Sequence, residues 1–147
     1  MKKFKFRLEA ILKIRKLKEE QCKLEIGRLQ VQINNIDNEI NQHHKGIQQS
    51  YESHEQGLDS GIIGRELHFH PYFIQGKKAH ISRLEEHKSH LKEDIERKYK
   101  ELSQLRADVK VMEKLKEKEK TGYYKKIQKK QYEELEEQIQ NWRSFVS

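Results

Sequence analysis

Apolar residues recur along most of the chain at alternating steps of three and four positions. This mean spacing of 3.5 residues is the coiled-coil repeat, and it predicts two long helices over about residues 5–56 and 72–142. The seam of the first helix comprises Cys22, Ile26, Leu29, Ile33, Ile36, Ile40, His43 and Ile47. The seam of the second comprises Ile81, Leu84, Lys88, Leu91, Ile95, Lys98, Leu102, Leu105, Val109 and Met112.

Two lysines interrupt the second seam. The long stem of a lysine can pack against apolar neighbours while its ammonium group stays in water. We therefore expect Lys88 and Lys98 to reach solvent from the edge of the seam.

The stretch between the two patterns, residues 57–71, contains three glycines and the only proline of the chain. Glycine tolerates the positive φ angles that end helices, and proline is well placed at the first position of a helix. This stretch is predicted to be a turn region with a short helical piece around residues 62–67, and Pro71 is predicted to open the second helix.

Two heptad segments joined by a short break predict an all-α fold, a long two-helix antiparallel coiled-coil hairpin. Residues 1–147 are expected to form one coiled-coil domain, monomeric when free, with Ile47 opposite Ile81 if the turn is centred near residue 64. The alternative is a parallel homodimer of one long helix, and the three glycines and Pro71 argue against it.

Beyond Met112 the seam positions become charged, and a different stripe of large residues follows. Its members are Tyr124, Ile127, Leu135, Ile139 and Trp142. Much of this tail has no partner on the first helix in the predicted register. It is expected to project past the first helix, either mobile or held by another protein.

A second apolar stripe runs along the outer face of the first helix. If Ile26 is an a position, f positions are occupied by Ala10, Leu17, Leu24 and Val31, with Ile14 beside them at c. An f position normally faces water. Either the stripe is a docking surface, or the heptad is shifted near the N-terminus, where Arg15 and Glu19 make a poor seam.

Composition excludes an ordinary globular domain, because 37% of the residues are charged and only 33% are hydrophobic. The net charge of +7 is concentrated in residues 1–18, with eight cations against Glu9, and in residues 110–130, with nine lysines against three glutamates. A hairpin brings these two runs together. They form either a solvated face or a contact for an acidic partner. We expect no nucleic-acid partner, since no recognised binding motif and little aromatic interleaving are present.

Residues with catalytic or metal-binding chemistry do not form a recognisable pattern. Cys22 is the single cysteine, and all eight histidines lie between His43 and His90, without a carboxylate pattern that would complete a ligand set. We find no phosphate loop and no nucleophile with a positioned base. We therefore expect no enzyme activity, no cofactor and no metal, and no apolar stretch approaches the ~20 residues of a membrane span.

The N-terminal run resembles the opening of the FliJ family, the small coiled-coil component of the bacterial flagellar type III export apparatus. A break that contains glycine before an aromatic helix start also fits the family. The residues that carry the resemblance are Phe4, Phe6, Leu8, Leu12, Arg15 and Glu19, followed by Pro71, Tyr72, Phe73, Ile74 and Gln75.

The resemblance implies a non-enzymatic, stalk-like protein of the flagellar base, cytoplasmic and held at the inner membrane through its partners. Such a protein inserts into the hexameric ring of the export ATPase FliI and promotes ring assembly and activity. It also contacts the export gate protein FlhA and escorts export chaperones.

The resemblance and the charge pattern together give candidate contact residues. For the ATPase ring these are Arg7, Lys13, Arg15, Lys16, Leu17, Lys18 and Leu24. For the export gate they are Ile47, Tyr51, Phe73 and His80. Tyr51 falls at e, and Phe73 and His80 fall at g, where they flank the seam and are open to a partner, whereas Lys77 is unexpectedly polar for a seam position. The alternative functions are a basic nucleic-acid-associated coiled coil and a general structural coiled coil.

Overall fold

Two long helices account for nearly all of the computed structural model, which describes residues 3–61 and 64–146. Helix α1 spans Glu9–Ser60 and helix α2 spans Gly64–Val146. Within the described ranges there is no strand, and the two helices pack against each other. The predicted all-α two-helix hairpin is confirmed, because the heptad seams on the two halves are the faces that they bury.

The connection between the helices is shorter than the turn region predicted over residues 57–71. Helix α1 continues to Ser60, and Gly61 follows it at a φ of 77°, the left-handed conformation that commonly ends a helix. Residues 62 and 63 of the expected helical piece lie outside the described residues, and 64–67 already belong to α2. Gly57 lies inside α1, where a glycine costs only ~1 kcal/mol and does not end the helix, and Gly64 is the first residue of α2.

Pro71 lies inside α2 and not at its first position. Its ring has no N–H, so the carbonyl of residue 67 loses a helical hydrogen bond there. The helix nevertheless continues, and Ile74 is buried less than one turn later.

The chain divides into two compact units. The turn unit is Cys22–Glu101, and the terminal unit combines Met1–Gln21 with Leu102–Ser147. In the turn unit, both predicted seams meet in one apolar core of Ile33, Ile36, Ile40, Ile81, Leu91 and Ile95, against which Leu29, Ile47 and Leu84 pack.

The terminal unit has its own core, in which an aromatic N-terminal segment covers α2. Its buried members are Phe6, Leu12, Val109 and Met112, with Phe4, Leu8 and Leu115 packed against them. The Phe4 and Tyr123 rings lie 5.7 Å apart between centroids. The N-terminal part of the sequence therefore belongs to the hairpin, because its aromatic residues complete this core.

The heptad of α1 is not shifted near its N-terminus. Leu12 is 1% exposed, and the next two seam positions, Arg15 and Glu19, are half-buried. Ile14 and Leu17 remain exposed, Leu17 by 62%. The shifted-heptad interpretation is therefore wrong for this unit, and the outer apolar residues of α1 face solvent.

The pairing register differs from the prediction by about one helical turn. The expected register places Ile47 opposite Ile81, but Gly46 approaches Lys77 and Asp37 pairs with Lys88. The hairpin connection is centred two residues before the predicted position, near residue 62. Because moving the centre of a hairpin by two residues moves each pairing by four, the shorter connection accounts for the difference.

Lys88 and Lys98 do not simply reach water, as the sequence suggested. Lys88 Nζ lies 2.5 Å from Asp37 Oδ1, and Lys98 Nζ lies 2.5 Å from Glu25 Oε2. Each lysine therefore joins the second helix to a carboxylate of the first, and the polar breaks in the seam are points of ionic pairing.

The C-terminal tail remains helical to Val146. Every residue over 128–146 is exposed, including the stripe members Leu135, Ile139 and Trp142. Over 3–61 and 64–146, neither helix contains a segment long and apolar enough to cross a lipid bilayer.

Candidate partner-binding surfaces

The basic surface of the terminal unit combines the N-terminal part of α1 with residues 102–130 of α2. Several of its cations are held by carboxylates of the facing helix. Arg7 Nε lies 4.0 Å from Glu119, Lys16 Nζ lies 3.6 Å from Glu113, and Lys116 Nζ lies 2.9 Å from Glu9. The hydrogen bond from Lys116 is the largest cause that lowers the pKa of Glu9, so the Glu9 carboxylate stays ionised through the neutral range.

The Arg15 side chain contacts the facing helix and is only partly exposed at the surface. It is half-buried at a seam position, and its guanidinium donates a hydrogen bond to the backbone carbonyl of Asp108 at 3.4 Å. In the opposite direction, Nε of Arg106 on α2 lies 3.4 Å from the Glu19 carboxylate on α1. These crossed arginine contacts explain how a poor seam sequence still pairs.

The predicted ring-contact residues thus fall into two groups. Arg7, Arg15 and Lys16 are tied to α2, whereas Lys13, Leu17 and Lys18 are exposed, and neither of these lysines forms an ion pair with a described residue. Leu24, also predicted, lies in the turn unit and is exposed there. Arg15 is half-buried within the hairpin, whereas Arg7 and Lys16 are exposed although each contacts a glutamate of α2. The second group is exposed, and its lysines lack such a contact among the described residues.

In the turn unit, the predicted gate-contact residues have different exposures. Tyr51 is 46% exposed, and its ring meets the edge of His70 at 5.2 Å between centroids. Ile47 is half-buried against the apolar core. Phe73 and His80 are also half-buried, so their flanking positions are less open than the sequence suggested.

Four side chains cluster where Phe73 and His80 approach α1. Lys77 Nζ lies 3.2 Å from His43 Nδ1 and 5.5 Å from the centroid of the Phe73 ring. The His43 and His80 rings meet edge to face, 4.5 Å apart. Burial is the first cause that lowers the pKa of His43, followed by the charges of Lys77 and His80. His43 is therefore neutral at neutral pH and accepts a hydrogen bond from the Lys77 ammonium.

The cross-helix partners of the seam lysines were not predicted from the sequence. Glu25 and Asp37 fall at g and e positions of the first heptad pattern, where charged residues commonly pair between helices. The heptad positions were therefore an available signal, but choosing the partner required the register. Among the described residues, histidine, cysteine and acidic side chains do not gather in groups of three or more that could hold a metal ion.

Comparison with known proteins gives one result that covers nearly the whole chain. The family model described as flagellar FliJ protein matches residues 4–144. No curated protein and no solved structure matches the chain. The matched range includes the aromatic N-terminal segment, all of α1 and all but the last two residues of α2, and we conclude that the chain belongs to the flagellar FliJ family and is a component of the flagellar export apparatus.

Proposed function

We propose that this protein is the stalk-like component of the flagellar export apparatus that places its terminal unit in the ring of the export ATPase FliI. It promotes ring assembly and activity without a catalytic step of its own. Its turn unit contacts the export gate protein FlhA, and the protein escorts export chaperones. It acts at the cytoplasmic flagellar base, peripheral to the membrane through these partners.

The exposed basic surface of the terminal unit is the observation that carries the ATPase proposal. Lys13 and Lys18 project from α1 on either side of Leu17, and neither forms an ion pair with a described residue, although the charge of Lys13 contributes to lowering the pKa of Glu9. An acidic ring lumen would supply the missing carboxylates. A protein that binds only the assembled ring stabilises assembly by its binding free energy, so a rise in ATPase activity needs no catalytic group on this chain.

The ATPase proposal is tested by the rate of ATP hydrolysis by FliI with and without this protein. We expect wild-type protein to raise the rate and the yield of hexamers. The double variant Lys13→Glu/Lys18→Glu should lose most of this effect. Lys16 is left unchanged, because reversing its charge would also repel Glu113 within the hairpin.

A matched control separates the position of the charges from the loss of net charge. The double variant Lys92→Glu/Lys100→Glu makes the same change at two exposed positions of the turn unit. It should stimulate the ATPase as wild type does. Equal loss in the two double variants, or no stimulation by wild type, would argue against a specific terminal-unit contact.

The gate contact rests on the aromatic residues of the turn unit. A partly exposed aromatic side chain beside a groove is a suitable interface anchor, and Tyr51 and Phe73 have this character. Tyr51→Ala and Phe73→Ala should each weaken binding of purified FlhA while leaving ATPase stimulation intact. Tyr99→Ala, at an exposed position of the same unit, is the control and should bind as wild type. Chaperone escort is proposed on family membership alone.

A further inference from the structure

Three seam lysines of α2 lie in the described part of the turn unit, and one of them differs from the other two. Lys88 and Lys98 each meet a carboxylate of α1, Asp37 and Glu25 respectively, at 2.5 Å. Lys77 meets the imidazole of His43 instead, at 3.2 Å. Among the described residues, no carboxylate forms an ion pair with Lys77. Its ammonium therefore has a neutral acceptor at a position where the other two have an anion.

The surroundings of Lys77 add further positive and aromatic groups. A shallow groove of about 390 Å³ is lined by Phe73, Lys77, His80 and Arg83, together with His43, Tyr72 and Gly76. Arg83 is exposed and also forms no ion pair with a described residue. Two cations beside aromatic walls favour an anionic group carried on an apolar segment, since an ammonium group without a carboxylate partner beside low-dielectric surface attracts a carboxylate strongly.

The contact with Lys77 determines which form of His43 this structure accommodates. When Lys77 donates to Nδ1, the imidazole must be neutral. Glu39 on its own helix and Lys77 and His80 from α2 act electrostatically on His43, and Arg83 lines the same groove. Burial, followed by the charges of Lys77 and His80, lowers the pKa of His43, and Glu39 opposes this effect.

We infer that this groove receives a carboxylate-bearing segment of the export gate, and that binding is coupled to uptake of one proton by His43. The inference rests on the gate contact proposed above. An incoming carboxylate accepts a hydrogen bond from Lys77, which releases Nδ1 of His43. The imidazole then takes a proton from solvent and donates to the same carboxylate. A carboxylate in the groove makes protonated His43 more favourable, so the affinity of the groove for the gate segment rises as pH falls toward ~6.

The test measures the affinity of purified FlhA for the full chain at pH ~6 and pH ~8, near and above the usual range of histidine titration. We expect wild type to bind roughly 3–10-fold more tightly at the lower pH, because one proton is taken up when the gate segment binds. His43→Asn should abolish this component of the pH dependence. Lys77→Met should weaken binding about tenfold at both pH values, as loss of a charge-assisted hydrogen bond would. Lys92→Met, an exposed lysine of the same helix, should bind as wild type.

The outcomes separate this inference from the gate contact itself. If wild type binds FlhA but the pH dependence is the same in His43→Asn, proton coupling is wrong while the gate contact stands. If Lys77→Met binds FlhA as tightly as wild type, the inference that Lys77 binds a carboxylate of the gate is wrong. Absence of binding at both pH values overturns the gate contact together with this inference. Circular dichroism of each variant checks that the hairpin is intact.

Discussion

Lys98 Nζ lies 2.5 Å from Oε2 of Glu25 on the facing helix and 3.2 Å from Oε2 of Glu101 on its own helix. The hydrogen bonds of Glu25 and then Glu101 raise the pKa of Lys98. The folded pKa lies above the unfolded one, so the contribution of this pair is present at neutral pH and is lost only as pH rises through the folded pKa. These two carboxylates stabilise the Lys98 ammonium in an otherwise apolar seam, and the contact with Glu25 favours the register in which the two residues face each other.

Charge reversal at this lysine should destabilise the hairpin more than reversal at a nearby exposed lysine. Lys98→Glu places three carboxylates together, and we expect the melting temperature to fall by several degrees. Lys100→Glu, exposed on the same helix, should change it little. Lys98→Met should keep or raise the melting temperature, because an apolar side chain suits the seam. Equal effects of the two reversals would show that the Glu25 contact does not contribute.

Two leucines of α1 within the terminal unit test its packing. Leu12 is 1% exposed and Leu17 is 62% exposed, although they lie only five positions apart. Leu12→Ala should cost about 2–5 kcal/mol of unfolding free energy through lost burial and a cavity. Leu17→Ala should lie within about 0.5 kcal/mol of wild type. Urea denaturation measures both, and similar losses would contradict the assignment of Leu17 to the outer face.

Glycine replacements should have opposite effects at two positions. An added Cβ at Gly27 meets nothing within 4 Å, so Gly27→Ala should stabilise α1 by about 0.5–1 kcal/mol. Gly61 has a φ of 77°, and Gly61→Ala should cost roughly 1–2 kcal/mol. Thermal unfolding of the two variants checks this contrast. Stabilisation by Gly61→Ala would show that the connection does not need a left-handed residue.

The stability of the protein should depend on pH partly through His43. Its folded pKa is lowered, first by burial and then by Lys77, so the unfolded chain binds a proton more readily. Stability contributed by this site is therefore full above the unfolded pKa of ~6.5 and is lost as pH falls below it. The loss of unfolding free energy between about pH 7.5 and about pH 5.5 should be smaller in His43→Asn than in wild type. An equal loss in His43→Asn and in wild type would contradict this contribution of His43.

The faces that α1 and α2 bury could be predicted from the sequence, whereas the pairing of individual residues could not. Heptad spacing identified Ile33, Ile40, Ile81 and Leu91 because a helix buries one stripe whatever its partner. The register depends on where the connection is centred, and the glycines allowed several positions. Because the predicted register was wrong by about one helical turn, the pairing of Lys88 with Asp37 was not predicted.

Only the charge composition of the candidate surfaces could be predicted from the sequence. The charge runs in residues 1–18 and 110–130 are visible in the sequence, but which cations remain available depends on contacts across the helices. Lys16 is paired with Glu113, whereas Lys18 is not paired with a described residue. The contact between Lys77 and His43 likewise depends on the register, so a polar residue in the seam looked like a departure from the pattern.

The central claim is that the terminal unit meets the export ATPase. The most direct measurement places a photo-crosslinking amino acid at Lys18 or, as the control, at Lys92 of the turn unit, and irradiates each protein with assembled FliI. We predict an ATPase adduct from position 18 and little or none from position 92. Adducts from position 92 alone, or equal adducts from both positions, would contradict the account.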